Sequence, residues 1–204
     1  MVTLRQMSDT KLIALYKKGN DSAIGELLHR HKQHLYTSLF FLVRDKKTAD
    51  DLFQETWIRI ILAIREGNYS DQGYFKAWAV RIAHNLFIDR VRVDRRMKML
   101  RDTEDFSILN TLPSETESKD AQIIRNEEEE KVRSLIEKIP VRFREVLIMR
   151  HYGDMKFEEI SRTLNINLNT ALGRMRYALQ YLKKEFEKDA IVNEEVRIFK
   201  KDAE

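Results

Sequence analysis

Cysteine is absent from the 204 residues of this chain. Disulfide staples, thiol nucleophiles and thiolate zinc sites are excluded together. Two prolines and six glycines are too few to punctuate the many tight turns of a β-rich fold. No apolar run approaches the roughly 20 residues that cross a bilayer as a helix, and Met1 to Thr10 carry no signal-peptide stretch. A cytoplasmic location is the expectation. What remains, 43% hydrophobic and 34% charged residues, suits a folded chain rather than a disordered one. The expected fold class is all-α.

Charge is distributed in blocks. The net is +2 over residues 1–74, +6 over 75–101, −8 over 102–130, +6 over 131–188 and −2 over 189–204. Two basic blocks therefore flank an acidic one. Basic clusters favour polyanions because neutralised phosphates release their condensed counterions. Solvated helix faces carry charge of the same kind, so charge alone leaves the two readings level.

Helical periods and stop signals set the organisation. Ser8 or Asp9 can cap a short helix that Gly19 ends, and Asn20 or Asp21 opens a longer one through Leu27, Leu35 and Leu42. A third helix spans about Lys46–Glu66, with Gly67 stopping it, and a fourth about Tyr74–Arg101. Between them, Gly67–Gly73 is a loop rich in turn residues. From Asp102 the apolar period dissolves among acids, serines and Pro113, which reads as a linker. Helical spacing resumes near Ala121. Pro140 is placed for the first turn of a helix reaching Gly153, and Lys156–Leu164 and Leu168–Lys188 follow. The expected architecture is two small helical domains, 8–101 and 121–188, joined by an acidic flexible linker at 102–120, with a tail at 189–204.

The third helix has two apolar faces. Ala49, Leu52, Phe53, Thr56, Trp57, Ile60 and Ile64 make an ordinary buried stripe. Opposite them, Ile58 and Leu62 sit among Asp51, Gln54 and Glu55. An acidic and amide surface centred on Ile and Leu suits a partner protein better than water, although single exposed apolar residues are common.

The run Ala49-Asp50-Asp51-Leu52-Phe53-Gln54-Glu55-Thr56-Trp57 resembles the most recognisable stretch of bacterial extracytoplasmic-function (ECF) sigma factors, of the sigma-70 family. In that family the stretch docks on clamp helices of the largest RNA polymerase subunits. The resemblance implies that Asp51, Gln54, Glu55 and Arg59 face polymerase.

On the fourth helix, Phe75 to Arg90 mix aromatics with cations. Strand opening needs such parts: unstacking costs a few kcal/mol per base, and an aromatic or shaped pocket returns about 1–3 kcal/mol per base while cations hold the backbone. Helical stripes assign Trp78, Ile82 and Phe87 to the core. Lys76, Arg81, Asn85, Arg92, Arg95 and Arg96 are the DNA candidates. The stretch is similar to the ECF element that opens and reads the minus-ten element. The resemblance implies that the Gly67–Gly73 loop traps a flipped base, with Asn85 as a hydrogen-bonding partner.

Phe157 to Ala171 read as a helix-turn-helix, with Ile160 and Leu164 facing Ile166 and with Asn167 capping the second helix. The first turns of such a helix meet base edges in the major groove. Asn169, Thr170, Leu172, Gly173, Arg174, Arg176 and Tyr177 are the candidates there. With Ile139 to Leu147 upstream, the segment resembles the sigma domain that binds the minus-thirty-five element. Many relatives carry a basic residue then serine where this chain has Leu172 and Gly173. A close approach of DNA to the backbone would justify that glycine, and Leu172 would suit a thymine methyl.

His29, His31 and His34 lack the carboxylate pair that would complete a metal site. No phosphate-binding glycine loop, dinucleotide fingerprint or nucleophile elbow occurs. No cofactor, no small-molecule substrate and no enzymatic activity are expected. The resemblance covers about Leu12–Lys184 and implies a promoter-specificity subunit whose partners are RNA polymerase core and promoter DNA, with an anti-sigma factor as a further partner. Two rivals use the same residues: a stand-alone two-domain helix-turn-helix regulator that binds duplex DNA unaided, and a helical adaptor that leaves both basic blocks unused.

Overall fold

The computed structural model describes residues 3–69, 73–102 and 134–201, with side chains at 98–102 and 189–201 excepted. The expected linker from 103 onward, the helical spacing at Ala121, Ile123, Ile124 and Val132, and loop residues 70–72 lie outside the described residues. Among the described residues every regular element is a helix. After a short 3-10 turn at Leu4–Gln6 come α1 (Asp9–Lys17), α2 (Asp21–Val43), α3 (Lys46–Arg65), α4 (Phe75–Asp102), α5 (Val141–His151), α6 (Phe157–Thr163) and α7 (Leu168–Lys201). A further helical turn spans 134–138. No helix of the described residues is long and apolar enough to cross a membrane.

The helix starts follow the capping residues. Ser8 Oγ accepts from the Lys11 N–H at 3.4 Å, Asn20 Oδ1 from Ser22 at 3.1 Å, and Asp45 Oδ2 from Thr48 at 2.7 Å. Each satisfies a donor that the first helical turn leaves unpaired. Gly19 and Gly67 end their helices at φ +96° and +77°, left-handed conformations that residues with a Cβ rarely adopt. α2 ends differently, on Arg44 at φ +59°.

The chain divides into two compact units, one of Met1–Ala121 with His151–Met155 and the other of Gln122–Arg150 with Lys156–Glu204. In the first, α2 packs on α1, α3 and α4. Leu12, Ile13, Leu27, Leu39, Ile60, Ile64 and Phe75 are fully enclosed, each burial contributing about 1.5–3 kcal/mol. In the second, α6 packs on α7, and Ile139, Ile148, Met149 and Ile160 are buried together with Ala171 and Ala178. Arg144 is buried in this unit. Its Nη1 donates to the carbonyls of Glu137 at 2.8 Å and Ile139 at 3.3 Å, satisfying acceptors at the end of the 134–138 turn.

Three expectations need correction. Of the α4 stripe, only Phe87 is buried as expected; Trp78 and Ile82 are half-buried, because Phe75, Ala79, Val80, Ala83 and Leu86 take the interior positions. Pro140 precedes α5 rather than lying inside its first turn, and its carbonyl accepts from Phe143 and Arg144. The last helix does not stop at Lys188 but continues to Lys201, since no glycine or proline interrupts residues 174–201.

Candidate nucleic-acid and polymerase interfaces

α3 has two faces. Ala49, Leu52, Thr56, Trp57, Ile60 and Ile64 are buried, while Phe53 is half-buried against Tyr36 and Trp57. The helix stays regular around Thr56, whose hydroxyl is satisfied by the Leu52 carbonyl at 2.6 Å. Away from the core, Ile58 is 56% and Leu62 48% exposed. Asp51, Gln54, Glu55 and Arg59 are exposed around them, as a rotation of 100° per residue requires. Glu55 and Arg59 pair one helical turn apart at 2.8 Å, so the rim carries a compensated charge beside the exposed side chain of Asp51. At half exposure that pair adds little to stability. Its effect is to shape the rim.

On α4, Arg81, Asn85, Arg92 and Arg96 are exposed and recur at spacings of four, seven and four, which places them on one side of the helix over about 22 Å. Arg95 is exposed beside that line. Lys76 is placed differently: its Nζ donates to Asp154 Oδ2 at 2.6 Å, a pair internal to the first unit. The Lys76 hydrogen bond, joined by its charge, holds the Asp154 carboxyl below its ordinary range against the opposing effect of burial. A phosphate that engages Lys76 must displace this carboxylate.

Two residues near that line escaped the sequence reading. Tyr74 supplies the carbonyl that accepts the first helical N–H, from Trp78, and is itself 57% exposed, an aromatic at the helix start in line with Trp78 and Arg81. Asp89 lies on the DNA-candidate face and receives Arg92 at 3.4 Å. Exposure of an aromatic is not a periodic signal, so the sequence pattern does not mark Tyr74. The Asp89 carboxylate enters that pattern only through the charge sum. Tyr69 is buried and packs on Trp78 at 4.3 Å and on Phe75 at 6.1 Å.

In the second unit, the turn between α6 and α7 runs through Asn165 at φ +51°, a left-handed position that Asn tolerates better than most side chains. The buried Ile160 and half-buried Leu164 and Ile166 flank this turn. Asn167 Oδ1 accepts from the Thr170 N–H at 2.7 Å, the expected cap. Asn169, Leu172 and Arg176 are exposed and Thr170 is half-buried. A Cβ built on Gly173 meets nothing within 4 Å. Internal packing therefore gives no reason for a glycine. Arg174 Nη1 donates to the Arg142 carbonyl at 3.4 Å, and Tyr177 stacks on Phe143 with ring centroids 3.9 Å apart. The Arg142 guanidinium lies 4.6 Å from the Phe143 centroid. Arg142 thus joins the recognition-helix cations although it stands outside the helix-turn-helix pattern.

The histidines of α2 are not grouped around a common point. His31 Nε2 meets Asp9 Oδ2 at 2.7 Å and its ring lies 5.0 Å from Phe75, whereas His29 and His34 are exposed.

The sequence profile of Sigma-70 region 2 matches residues 27–97 and that of Sigma-70, region 4 matches residues 129–181, together well over half of the chain. The ECF RNA polymerase sigma factor SigW of Bacillus subtilis is 24% identical over 184 residues, covering 88% of this chain and 97% of SigW. The ECF RNA polymerase sigma factor SigE of Mycolicibacterium smegmatis is 28% identical over 158 residues, covering 78% of this chain and 59% of SigE, so the chain spans well under two thirds of that longer relative. Among solved structures, CnrH in complex with the cytosolic domain of CnrY shares the fold at TM-score 0.56 with 22% identity, covering 89% of this chain and 98% of that one. The sigma factor RpoE of Bartonella quintana, in complex with the anti-sigma factor NepR, does so at TM-score 0.57 with 16% identity, covering 80% and 96%. A stand-alone helix-turn-helix regulator accounts for the region 4 match but not for region 2, so that alternative is not favoured. With both sigma-70 regions matched in order and ECF relatives aligned along most of its length, the chain belongs to the extracytoplasmic-function sigma factors and is an RNA polymerase sigma factor.

Proposed function

We propose that the exposed face of α3 is the surface by which this chain docks on RNA polymerase core, and that both DNA-binding lobes act after docking. The observation that carries this reading is the exposure of Ile58 and Leu62 on a helix whose other face is fully used by the core. Two large aliphatic side chains ringed by Asp51, Gln54, Glu55 and Arg59 form an apolar centre with a polar rim, the arrangement of a protein interface. Residues 8–101 form the docking and minus-ten domain and residues 121–188 the minus-thirty-five domain, the turn His151–Met155 within the second range being part of the first compact unit.

Arg81, Asn85, Arg92, Arg95 and Arg96 track the separated strand, with Lys76 joining once it leaves Asp154. Tyr74 adds an exposed ring for base stacking. In the second domain Asn169, Thr170, Leu172, Gly173, Arg174, Arg176 and Tyr177 face the major groove, and Arg142 holds phosphate. An arginine fork there distinguishes guanine by about 1–3 kcal/mol. The acidic stretch 102–130, net −8, enters polymerase channels built for nucleic acid as an imitation polyanion. The chain recognises and opens promoters without covalent catalysis, in the cytoplasm. Relatives whose structures were solved with NepR or with the CnrY cytosolic domain support an anti-sigma factor as a further partner.

The test is reconstituted transcription with purified polymerase core and a promoter library, with and without this chain. Selective transcripts that depend on the chain, together with its co-elution with core on size exclusion, are expected. Absence of co-elution, with no competing sigma factor present, overturns the reading.

A further inference from the structure

We propose that the C-terminal turn of α1 is a brace for promoter opening, with Lys17 as the positioning residue that holds the α3–α4 connection at Tyr69. This rests on the reading of α4 as the strand-opening element and adds a control point outside it. α1 lies before the residues matched by Sigma-70 region 2.

Three contacts make the brace. Lys17 Nζ donates to the Tyr69 carbonyl at 3.3 Å, across 52 residues of sequence. Next to it, the Tyr16 ring is buried and receives the Arg65 guanidinium 5.5 Å from its centroid, at the last turn of α3. Tyr69 then passes the constraint on through its ring, packed 4.3 Å from Trp78 and 6.1 Å from Phe75 at the start of α4.

The physical need for such a brace follows from the backbone. Between α3 and α4 the chain passes Gly67 at φ +77° and Gly73 at φ +78°, residues whose own conformational freedom is greatest. At those two positions the backbone has little intrinsic preference for one conformation. Stabilising an unpaired base requires a shape that exists before the base arrives, because ordering the connection on binding subtracts from the stacking gain. A cation on a carbonyl supplies that order from a neighbouring helix. Lys17 touches no base in this scheme; it acts through Tyr69 and Trp78.

The experiment uses the full chain with polymerase core on a promoter obtained by selection with the wild-type chain. Two templates are compared, the duplex and the same sequence made non-complementary across the minus-ten region. Lys17→Met is expected to lower open-complex formation on the duplex about three- to tenfold, the scale of one ordinary net hydrogen bond. Core co-elution and transcription from the pre-opened template should stay within about twofold, and Lys17→Arg should restore opening on the duplex. Lys17→Met with undiminished opening, or with equal loss on both templates, overturns the brace. Thermal unfolding of the variants separates an opening defect from a folding defect: an opening loss that tracks a lower midpoint and is not rescued by Lys17→Arg also overturns it. A wild-type chain that yields no transcript fails earlier and removes the strand-opening reading together with the brace.

Discussion

The ring of Tyr177 stacks on that of Phe143 with 24° between their planes, tying the recognition helix to the helix before the helix-turn-helix. One face of an aromatic counted among the DNA-facing residues is therefore already occupied. Tyr177 remains 44% exposed, which leaves its other side for the groove. Tyr177→Ala is expected to destabilise the chain by about 1–2 kcal/mol through lost stacking and burial, measured by chemical denaturation. Tyr177→Phe should keep nearly all of that stability. Equal stability of the alanine variant and the wild type would show that the stack has no energetic weight.

The docking face allows a sharper separation of binding from folding. Ile58 and Leu62 are about half exposed, so Ile58→Glu with Leu62→Glu should change stability by less than about 0.5 kcal/mol per site. Affinity for polymerase core should fall at least about tenfold, as expected when apolar residues at the centre of an interface are replaced by charges. Fluorescence anisotropy of labelled chain against core measures this, and an unchanged Kd would place the dock elsewhere.

Gly173 offers a test in which stability and function move in opposite directions. With open space around its missing Cβ, Gly173→Ala should stabilise the free chain by about 0.5–1 kcal/mol through helix propensity. On the proposal that DNA approaches the backbone at Gly173, the added methyl should weaken binding of the holoenzyme to its minus-thirty-five element several-fold. Tighter or equal binding would remove the close-approach explanation.

A pH dependence comes from Asp9. Burial pushes its pKa up, but the hydrogen bond and charge of His31, joined by those of Arg30 at 2.6 Å, outweigh burial and hold the carboxyl below its ordinary range. A carboxylate with a depressed folded-state pKa contributes stability that is present above the unfolded value and lost as pH falls through the folded one. Asp9→Asn should therefore cost about 1–2 kcal/mol at neutral pH. The gap between variant and wild type should close below about pH 4, where carboxylates take up protons. Urea midpoints from pH 3 to 7 follow this; a gap that persists undiminished at pH 3 contradicts it.

Much of this molecule is readable from local pattern. Ser8, Asn20 and Asn167 announce helix starts because a side-chain oxygen two or three residues before an unpaired N–H is a geometric certainty once the helix forms. Ile58 and Leu62 opposite Trp57 and Ile60 follow from the 3.6-residue period alone. The grouping of Arg81, Asn85, Arg92 and Arg96 is equally local. Phe53, Trp78 and Ile82 show where the pattern ends, since periodicity gives a direction around the helix but not the depth of the neighbour it meets.

Charge and aromatic pairing across distant segments lie beyond any such pattern. That Lys76 meets Asp154 78 residues away and that Lys17 reaches the backbone of Tyr69 across 52 residues each depend on where packed helices bring their ends. Spacing along one helix is set by bond geometry and is already present in the sequence. Which cation finds which oxygen is set by how helices close around the core of their own unit, and that was decided only by the tertiary structure.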